Sequence, residues 1–177
     1  VQDRLDRLGV GCVDLLQFHW WNFQHPAWLD ALHELSTLRK EGLIREIGVT
    51  NFDAAHLHLA LADGIPLRTN QVSFSLLDHR ASGPLADLCA ASPVRLLAYG
   101  TLCGGFLSEK WVDIAEPTQI AYWSKMNYNR FIDTAGGWEA FHGILDAASK
   151  IAGKHGVSIA NVATRWVLDQ PGGGGAR

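Results

Sequence analysis

The sequence predicts an α/β fold in which parallel strands alternate with helices, as in part of a β/α barrel. Four apolar runs each end at a side chain that can take part in chemistry, and these side chains are His19, Asn51, Gln71 and Tyr99. The intervals between them are 32, 20 and 28 residues, and a strand with its return helix needs about 30 residues. Because parallel strands end at one rim of the sheet, we expect the four side chains to meet there.

Length and composition indicate a single globular domain over residues 1–177. The chain is 47% hydrophobic and 19% charged, which gives enough apolar material for a core. A complete β/α barrel takes about 250 residues, whereas this chain has 177. We therefore expect an incomplete barrel, with about four strand–helix units followed by C-terminal helices.

Charge and cysteine content limit the classes of partner. The net charge is −3 without a basic stripe, so nucleic acid is not an expected partner. Cys12, Cys89 and Cys103 are odd in number and form no C-x-x-C pair, which is typical of reduced thiols in a cytoplasmic protein. No run of 18 apolar residues and no signal peptide is visible, so no membrane association is expected. The oligomeric state is not indicated.

Periodicity and end signals predict the elements of the first half. Gly9 and Gly42 follow helical patterns, as glycines do at helix C-termini, and Asp53 has the position of an N-cap. The expected elements are a helix over 2–8, a buried strand over 13–18, a helix over 26–41, a strand over 43–49, a helix over 53–63 and a strand over 68–74.

The second half is predicted to be less regular. Its elements are a helix over 84–91, a strand over 94–99, a glycine-rich loop over 100–105, an irregular aromatic segment over 109–135, a helix over 138–155, a helix capped by Ser158 and a glycine-rich tail over 171–177. The helix over 138–155 is amphipathic, with its apolar face formed by Phe141, Ile144, Leu145, Ala148, Ile151 and Ala152. The four glycines of the tail cannot form a buried strand, because they have no side chains to pack.

The strand-end residues suit recognition of a flat polar ligand. His19 could polarise a carbonyl group or pass a proton, although taken alone it would be a buried structural histidine. Asn51 and Gln71 each carry a carboxamide, which suits a planar amide such as nicotinamide, but Asn51 could also be a turn residue. Tyr99 could stack on a heterocycle or be a rim aromatic. The loop 100–105 could bring backbone N–H groups to a pyrophosphate.

Two other groups of residues have a composition that could serve a function. His56 and His58 form an H-x-H pair, but Asp53 predicts a helix there, and residues two apart on a helix point to different sides. We therefore expect no metal site. Trp20 and Trp21 follow His19 directly and could form a wall of a substrate pocket, whereas the later tryptophans are expected in packing.

The sequence also resembles the aldo-keto reductase family. The segment over 35–52, LSTLRKEGLIREIGVTNF, resembles the central signature of that family, and DLLQFHW over 14–20 is similar to its fourth barrel strand. Asn70-Gln71-Val72 and Ala98-Tyr99 fall where the family has its sixth and seventh strands. The resemblance extends to about Gln170.

The resemblance implies a (β/α)8 TIM barrel and hydride transfer between a nicotinamide and an aldehyde or ketone. It implies NADP(H) rather than NAD(H) as the cofactor, and a small-molecule carbonyl compound as the substrate. Roles follow by position. His19 is the catalytic residue that orients the carbonyl; Thr50, Asn51 and Gln71 hold the carboxamide; Tyr99 stacks on the nicotinamide; Gly100, Leu102 and Gly104 line the pyrophosphate and ribose; Trp20 and Trp21 line the substrate pocket.

Departures from the family pattern affect what this chain is expected to do alone. The family's catalytic tyrosine, lysine and aspartate lie on earlier strands, and no residue here matches them. Ala176-Arg177 resembles the start of the loop that grips the 2′-phosphate, but glycines replace the preceding strand. We therefore expect a truncated domain that is inactive by itself. The alternatives are a non-catalytic fragment that binds cofactor or a partner, and a truncated product without function.

Overall fold

The computed structural model describes residues 1–116 and 123–171, without the side chains of residues 123–125. These residues form two compact units. The first consists of Val1–Val72 and Gly83–Leu97, and the second of Ser73–Ser82 and Ala98–Arg177. Tyr122, the glycines from position 172 onward and the Ala176-Arg177 pair lie outside the described residues.

The first unit carries most of a four-stranded sheet and its helices. The elements are α1 (Gln2–Leu8), β1 (Val13–His19), α2 (Ala27–Lys40), β2 (Ile44–Thr50), α3 (Ala54–Ala62), β3 (Leu67–Ser73), α4 (Pro84–Ala90) and β4 (Arg95–Tyr99). The strand order is β1-β2-β3-β4, and β1–β2 and β2–β3 are parallel pairs. The predicted α/β class with parallel strands is confirmed, and these element boundaries lie within two residues of those predicted.

Local end signals explain why these helices begin and end where they do. Gly9 closes α1 in the left-handed conformation at φ 65°, where glycine has no steric penalty. The Asp53 carboxylate caps α3 by accepting from the backbone N–H of His56 at 2.8 Å. These contacts satisfy backbone groups that would otherwise lack partners at the helix ends.

One face of the sheet is apolar and packs in the core of the first unit. Ile47 and Val49 are fully buried there, as are Leu32 of α2 and Leu57 of α3. Ile47 and Val49 alternate along β2 with Gly48 and Thr50, and the Thr50 side chain points to the other face of the sheet. The burial of leucines, isoleucines and valines on this side stabilises each side chain by about 1.5–3 kcal/mol relative to exposure.

The prediction that β1 is buried is wrong. Every residue of β1 is half-buried or exposed, and Leu15 and His19 are among the exposed residues. The reason is position in the sheet, since β1 is the first strand of the order and pairs with β2 alone among the described strands. An apolar run in sequence does not distinguish an edge strand from a central one.

The second unit has a helical core. Its helices are α5 (Trp123–Thr134), α6 (Gly137–His155) and α7 (Ile159–Leu168), preceded by short 3-10 turns at Cys103–Gly105 and Glu109–Trp111. The side chain of Ser158 caps α7 by accepting from the backbone N–H of Asn161, as the sequence predicts. The buried residues of this core are Leu77, Cys103, Phe106, Leu107, Phe131, Ile132, Phe141, Leu145, Ala148, Ala152, Ile159 and Ala163.

Two expectations for the second unit are wrong. The segment 109–135 is not irregular throughout, because it contains one 3-10 turn and the helix α5. Burial of Phe131 and Ile132 stabilises α5 despite residues of modest helix propensity. Ile151 is 47% exposed rather than buried on the face of α6, since it lies one residue, about 100°, around the helix from buried Ala152.

Among the described residues, no helix is both long and apolar enough to span a membrane.

Candidate functional site

Three of the predicted site residues lie side by side at the carboxyl ends of neighbouring strands in the first unit. His19 of β1 is the register partner of Thr50 of β2, and Thr50 is the register partner of Gln71 of β3. Register partners in parallel strands point to the same face of a sheet, and adjacent strands lie about 4.8 Å apart. The three residues therefore form one row, called here the upper polar row.

A second polar row lies one layer below the upper one. Gln17, Gly48 and Thr69 are register partners across β1, β2 and β3. Gln17 Nε2 donates to Thr69 Oγ1 at 2.9 Å, and this bond passes over Gly48. A Cβ at position 48 would lie 2.1 Å from Thr69 Oγ1, so only glycine leaves room for the bond. Sequence patterns give no sign of this lower polar row.

Thr50 carries a buried side-chain hydroxyl in the upper polar row. Its residue is 5% exposed, and its Oγ1 has no partner among the described residues. Gln17 Oε1 in the lower polar row is in the same state. Since burying an unpaired polar group costs about 1–3 kcal/mol, two such atoms on one sheet face indicate that this face is suited to a polar occupant.

The backbone after β2 positions Asn51 beside this row. Asn51 adopts φ 56°, a left-handed conformation that asparagine tolerates better than most residues. Its backbone N–H donates to the carbonyl of Gln71 at 2.8 Å. Buried Asn70 fixes the turn, because its Nδ2 donates to the carbonyl of Phe52 at 2.8 Å and its Oδ1 accepts from the Phe52 N–H at 3.3 Å.

His19 is exposed, and its Nδ1 lies 3.2 Å from the carbonyl oxygen of Gln17. A carbonyl can only accept, so Nδ1 carries the proton in this contact and Nε2 of the neutral ring is an acceptor. Donation from Nε2 to a ligand needs either the doubly protonated ring or loss of the contact. Beside it, Trp21 is 85% exposed, while half-buried Trp20 stacks on Phe18 at 5.7 Å between ring centroids.

The remaining predicted site residues lie in the second unit. Tyr99 ends β4 with 39% of its surface exposed, and its carbonyl accepts from the N–H of Phe74 at 3.1 Å. Gly100 and Gly104 follow in left-handed conformations, at φ 66° and 62°. Leu102 is half-buried and packs against the core of this unit.

Gly100 and Gly104 face the ring of Tyr128 on α5. A Cβ at Gly100 would lie 2.8 Å from the Tyr128 hydroxyl, and a Cβ at Gly104 would lie 2.7 Å from its ring. The glycines are therefore required by an aromatic side chain of the same unit, independently of any ligand. Burial, together with the neighbouring Tyr99, raises the pKa of the Tyr128 hydroxyl, so the group is a neutral donor at physiological pH.

The buried cysteines and the paired histidine of the described structure give little support for thiolate or metal chemistry. Burial raises the pKa of both Cys89 and Cys103 to about 11, so neither forms a thiolate at neutral pH. Within residues 1–116 and 123–171, no group of three histidine, cysteine or acidic side chains is arranged to hold a metal ion. His56 instead contacts Asp53 at 2.8 Å and packs against Phe23.

The first unit thus brings His19, Thr50, Asn51 and Gln71 together at its strand ends, and the second carries Tyr99 and the glycine loop. Sequence reasoning missed Asn70, Gln17 and the other members of the lower polar row. The signal for them is strand register, because each lies one or two residues before a predicted site residue on the same strand.

Comparison with known proteins places this architecture in context. The chain is 30% identical to a flagellar radial spoke protein 5 of Chlamydomonas reinhardtii, over 89% of this chain and 33% of that protein. It is 26% identical to an NADH-specific methylglyoxal reductase of Escherichia coli, over 94% of this chain and 49% of that protein. The chain thus spans half or less of the length of these relatives.

A solved structure shows the same fold. The glycerol dehydrogenase of Gluconobacter oxydans superposes with a TM-score of 0.81 at 29% identity, covering 97% of this chain and 51% of that one. The family model described as the Aldo/keto reductase family matches residues 1–176. With the parallel strands and the ordered strand-end residues, these matches show that the chain belongs to the aldo/keto reductase family.

Proposed function

We propose that this chain supplies the cofactor-binding and carbonyl-orienting part of a nicotinamide-dependent oxidoreductase acting on a small aldehyde or ketone. The observation that carries the proposal is the buried hydroxyl of Thr50, which has no hydrogen-bond partner in the described part of the chain and lies between His19 and Gln71 in the upper polar row. A carboxamide ligand has two donors and an acceptor, which fits a hydroxyl that lies beside the Gln71 carboxamide on one strand and the His19 imidazole on the other.

The cofactor-binding residues in this proposal are Thr50, Asn51, Gln71 and Tyr99, with Gly100, Leu102 and Gly104 along the pyrophosphate. Thr50 and Gln71 hold the carboxamide from neighbouring strands, and Asn51 is fixed by its bond to the Gln71 carbonyl. Hydride chemistry is what the nicotinamide supplies when bound. The role of the protein residues is to fix the orientation of the ring.

His19 orients the substrate carbonyl in this proposal. In the contact with Gln17 the neutral ring presents an acceptor at Nε2, so donation to a carbonyl oxygen uses the doubly protonated ring or a ring turned away from Gln17. Exposed Trp21 and half-buried Trp20 then form one side of the substrate pocket.

NADP(H) is the cofactor we propose, in preference to NAD(H), and we propose a cytoplasmic location. The preference rests on the resemblance to NADP-dependent members of the family. One relative of the chain is by its name NADH-specific, so both cofactors belong in the binding assay.

The first prediction concerns the Thr50 hydroxyl. Titrating the 177-residue chain with NADPH and NADH, followed by cofactor fluorescence, should show saturable binding. Thr50→Ser keeps the hydroxyl and should bind within about twofold of the parent, whereas Thr50→Val should weaken binding roughly tenfold through one lost hydrogen bond.

The thermal midpoint serves as the control for this pair. Because Thr50→Val removes a buried hydroxyl that no described residue pairs with, its midpoint should equal or exceed that of the parent, so weaker binding cannot be ascribed to unfolding. No binding of either cofactor at high micromolar concentration, in a chain that melts cooperatively, would refute the proposal.

The second prediction is that the 177-residue chain binds cofactor without turning over. No residue in it matches the tyrosine that donates a proton to the carbonyl oxygen in the family. NADPH oxidation with a panel of aldehydes and ketones should stay at the buffer rate. Measurable oxidation that Thr50→Val abolishes would contradict this prediction and leave the cofactor site standing.

A non-catalytic role is the second candidate. It is favoured by the match to a relative that is named as a flagellar radial spoke protein rather than as a reductase. In that case the chain binds a protein partner through its sheet or helices, and Thr50→Val leaves the partner affinity unchanged.

A further inference from the structure

An open groove of about 790 Å³ lies wholly within the second unit, outside the residues assigned above to the cofactor. Its sides come from the segment after β3, from the last turns of α5 and from α6. Leu77 and Ile144 give it apolar walls, while Arg80 and Arg130 give it charge. The groove therefore combines an apolar surface with guanidinium groups.

Arg80 is held in place by a buried carboxylate. Its Nε donates to Asp78 Oδ1 at 2.7 Å and its Nη2 donates to Asp78 Oδ2 at 2.7 Å, a bidentate pair. The Asp78 side chain is 2% exposed, whereas that of Arg80 is 69% exposed. The pair does not use Nη1, so the guanidinium is fixed on one side and open to the groove on the other.

The carboxylate of Asp78 stays ionised. Burial alone would raise its pKa, but hydrogen bonds from Arg80 and Ser73 outweigh burial and hold the pKa below its usual value. Arg80 therefore keeps its partner at neutral pH and is a preorganised donor rather than a mobile surface charge.

Arg130 brings a second guanidinium to the lining of the same groove. Its Cζ lies 5.1 Å from the centroid of the Phe131 ring, and Cζ of Arg80 lies 5.2 Å from that centroid. Within the described part of the chain, no carboxylate pairs with Arg130. Among the residues that line the groove, Asp78 is the acidic one, so two guanidinium charges face one carboxylate.

We propose that this groove binds a small organic phosphate, with the phosphate between Arg80 and Arg130 and an apolar body against Leu77, Phe131 and Ile144. A phosphate monoester is nearly a dianion at neutral pH, and its oxygens accept hydrogen bonds from planar guanidinium groups. It therefore matches the charge of two arginines better than a ligand with a single carboxylate would. The proposal does not depend on the nicotinamide site.

The direct test uses phenyl phosphate as the probe and isothermal titration calorimetry on the 177-residue chain. Phenyl phosphate should bind with one site per chain, and inorganic phosphate should bind at least about tenfold more weakly, because it lacks the apolar body. Arg130→Gln should weaken phenyl phosphate binding at least about tenfold.

The controls separate the site from general charge attraction and from misfolding. Lys154→Gln removes an exposed charge from α6, away from the groove, and should leave the affinity within about twofold. Arg130 is exposed and has no ion-pair partner among the described residues, so its replacement mainly removes its contact with the Phe131 ring and should lower the thermal midpoint by no more than a few degrees. The proposal would be overturned if Arg130→Gln and Lys154→Gln lost the same affinity for phenyl phosphate, or if Arg130→Gln bound it as tightly as the parent. It would also be overturned if the parent showed no saturable binding of phenyl phosphate.

A competition arm identifies the source of the phosphate. If saturating NADPH displaces phenyl phosphate and NADH does not, the groove takes the 2′-phosphate of the cofactor. If phenyl phosphate binds unchanged beside NADPH, or binds to a chain that takes up no nicotinamide at all, the ligand is a separate phosphorylated small molecule. Both results uphold a phosphate site, and failure of the nicotinamide proposal is distinguished from failure of this one.

Discussion

At position 48 a side chain has no room, and this single residue decides whether the lower polar row forms. The ideal Cβ there would lie 2.1 Å from Thr69 Oγ1 and 2.2 Å from Gln17 Oε1. The Gln17 amide can swing away, but the Gln17–Thr69 hydrogen bond is then lost.

The third prediction compares two glycines. Gly48→Ala should lower the free energy of unfolding by about 1–3 kcal/mol through overpacking and the lost hydrogen bond. Gly143→Ala is the matched control, because nothing lies within 4 Å of its Cβ and it sits inside α6. That variant should be neutral or stabilising by up to about 1 kcal/mol. Urea unfolding of both proteins measures the difference, and equal effects would contradict the steric argument.

At the residue scale, sequence identifies the strand-end side chains but not what holds them. His19, Asn51 and Gln71 are recognisable because each ends an apolar run. Asn70 and Gly48 escape notice because their importance comes from register with residues about 20 positions away. A non-local contact of this kind leaves no local sequence signal.

At the scale of elements, α7 begins with two independent caps. Ser158 and Asn161 form a capping box, in which each side chain accepts from the other residue's backbone N–H. Glu109, distant in sequence, accepts from the N–H of Ile159 at 2.6 Å. That hydrogen bond lowers the pKa of Glu109.

The fourth prediction tests these caps. Ser158→Ala should cost about 1 kcal/mol of stability. Because the pKa of Glu109 is lowered in the folded state, its contribution is present above the pKa of the unfolded chain and is lost as pH falls through the folded-state pKa. Glu109→Gln keeps an acceptor that does not titrate. Its thermal midpoint should therefore fall less than that of the parent between about pH 6 and pH 3.

The result that would contradict this account is a parallel fall of both midpoints over that range. Asp53 and Asp78 also have lowered pKa values and remain in both proteins, so they contribute equally to each curve. The difference between the curves then isolates Glu109.

Helices and strands with strong end signals are predictable from sequence, and α5 shows why others are not. Gly9, Gly42 and Asp53 mark ends by their own conformational preferences, so the elements beside them are placed correctly. The segment around α5 contains two asparagines and several aromatic residues, none of which is a strong helix former. It is helical because Phe131 and Ile132 are buried by residues from other helices, which local sequence does not reveal.

At the scale of the whole molecule, the exposed edge of the sheet is a surface through which two copies of the chain can associate. β1 pairs with β2 alone among the described strands, and Leu15 at its centre is 37% exposed. An exposed edge strand offers unpaired backbone groups to another chain. Self-association through this edge is the expected behaviour of the 177-residue chain at high concentration.

The fifth prediction follows from that edge. The weight-average mass of the parent, measured by static light scattering, should rise with concentration. Leu15→Lys should reduce that rise, because a charge on an edge strand opposes strand pairing. Leu59→Lys is the matched control, since Leu59 is 49% exposed on α3 and away from the sheet edge. A parent chain that stays monomeric across the same concentrations, or equal effects of the two variants, would contradict the prediction.

The left-handed backbone at Asn51 restricts how this position can change in evolution. Its φ of 56° admits glycine, asparagine and aspartate far more readily than other residues. Glycine would preserve the turn but lose the amide, and glutamine would preserve the amide but strain the turn. Asparagine satisfies both the turn and the need for an amide. Few substitutions are therefore tolerated here, even in a descendant that has lost catalysis and kept the fold. Persistence of this residue among descendants is therefore a poor indicator, by itself, that the chemistry has been retained.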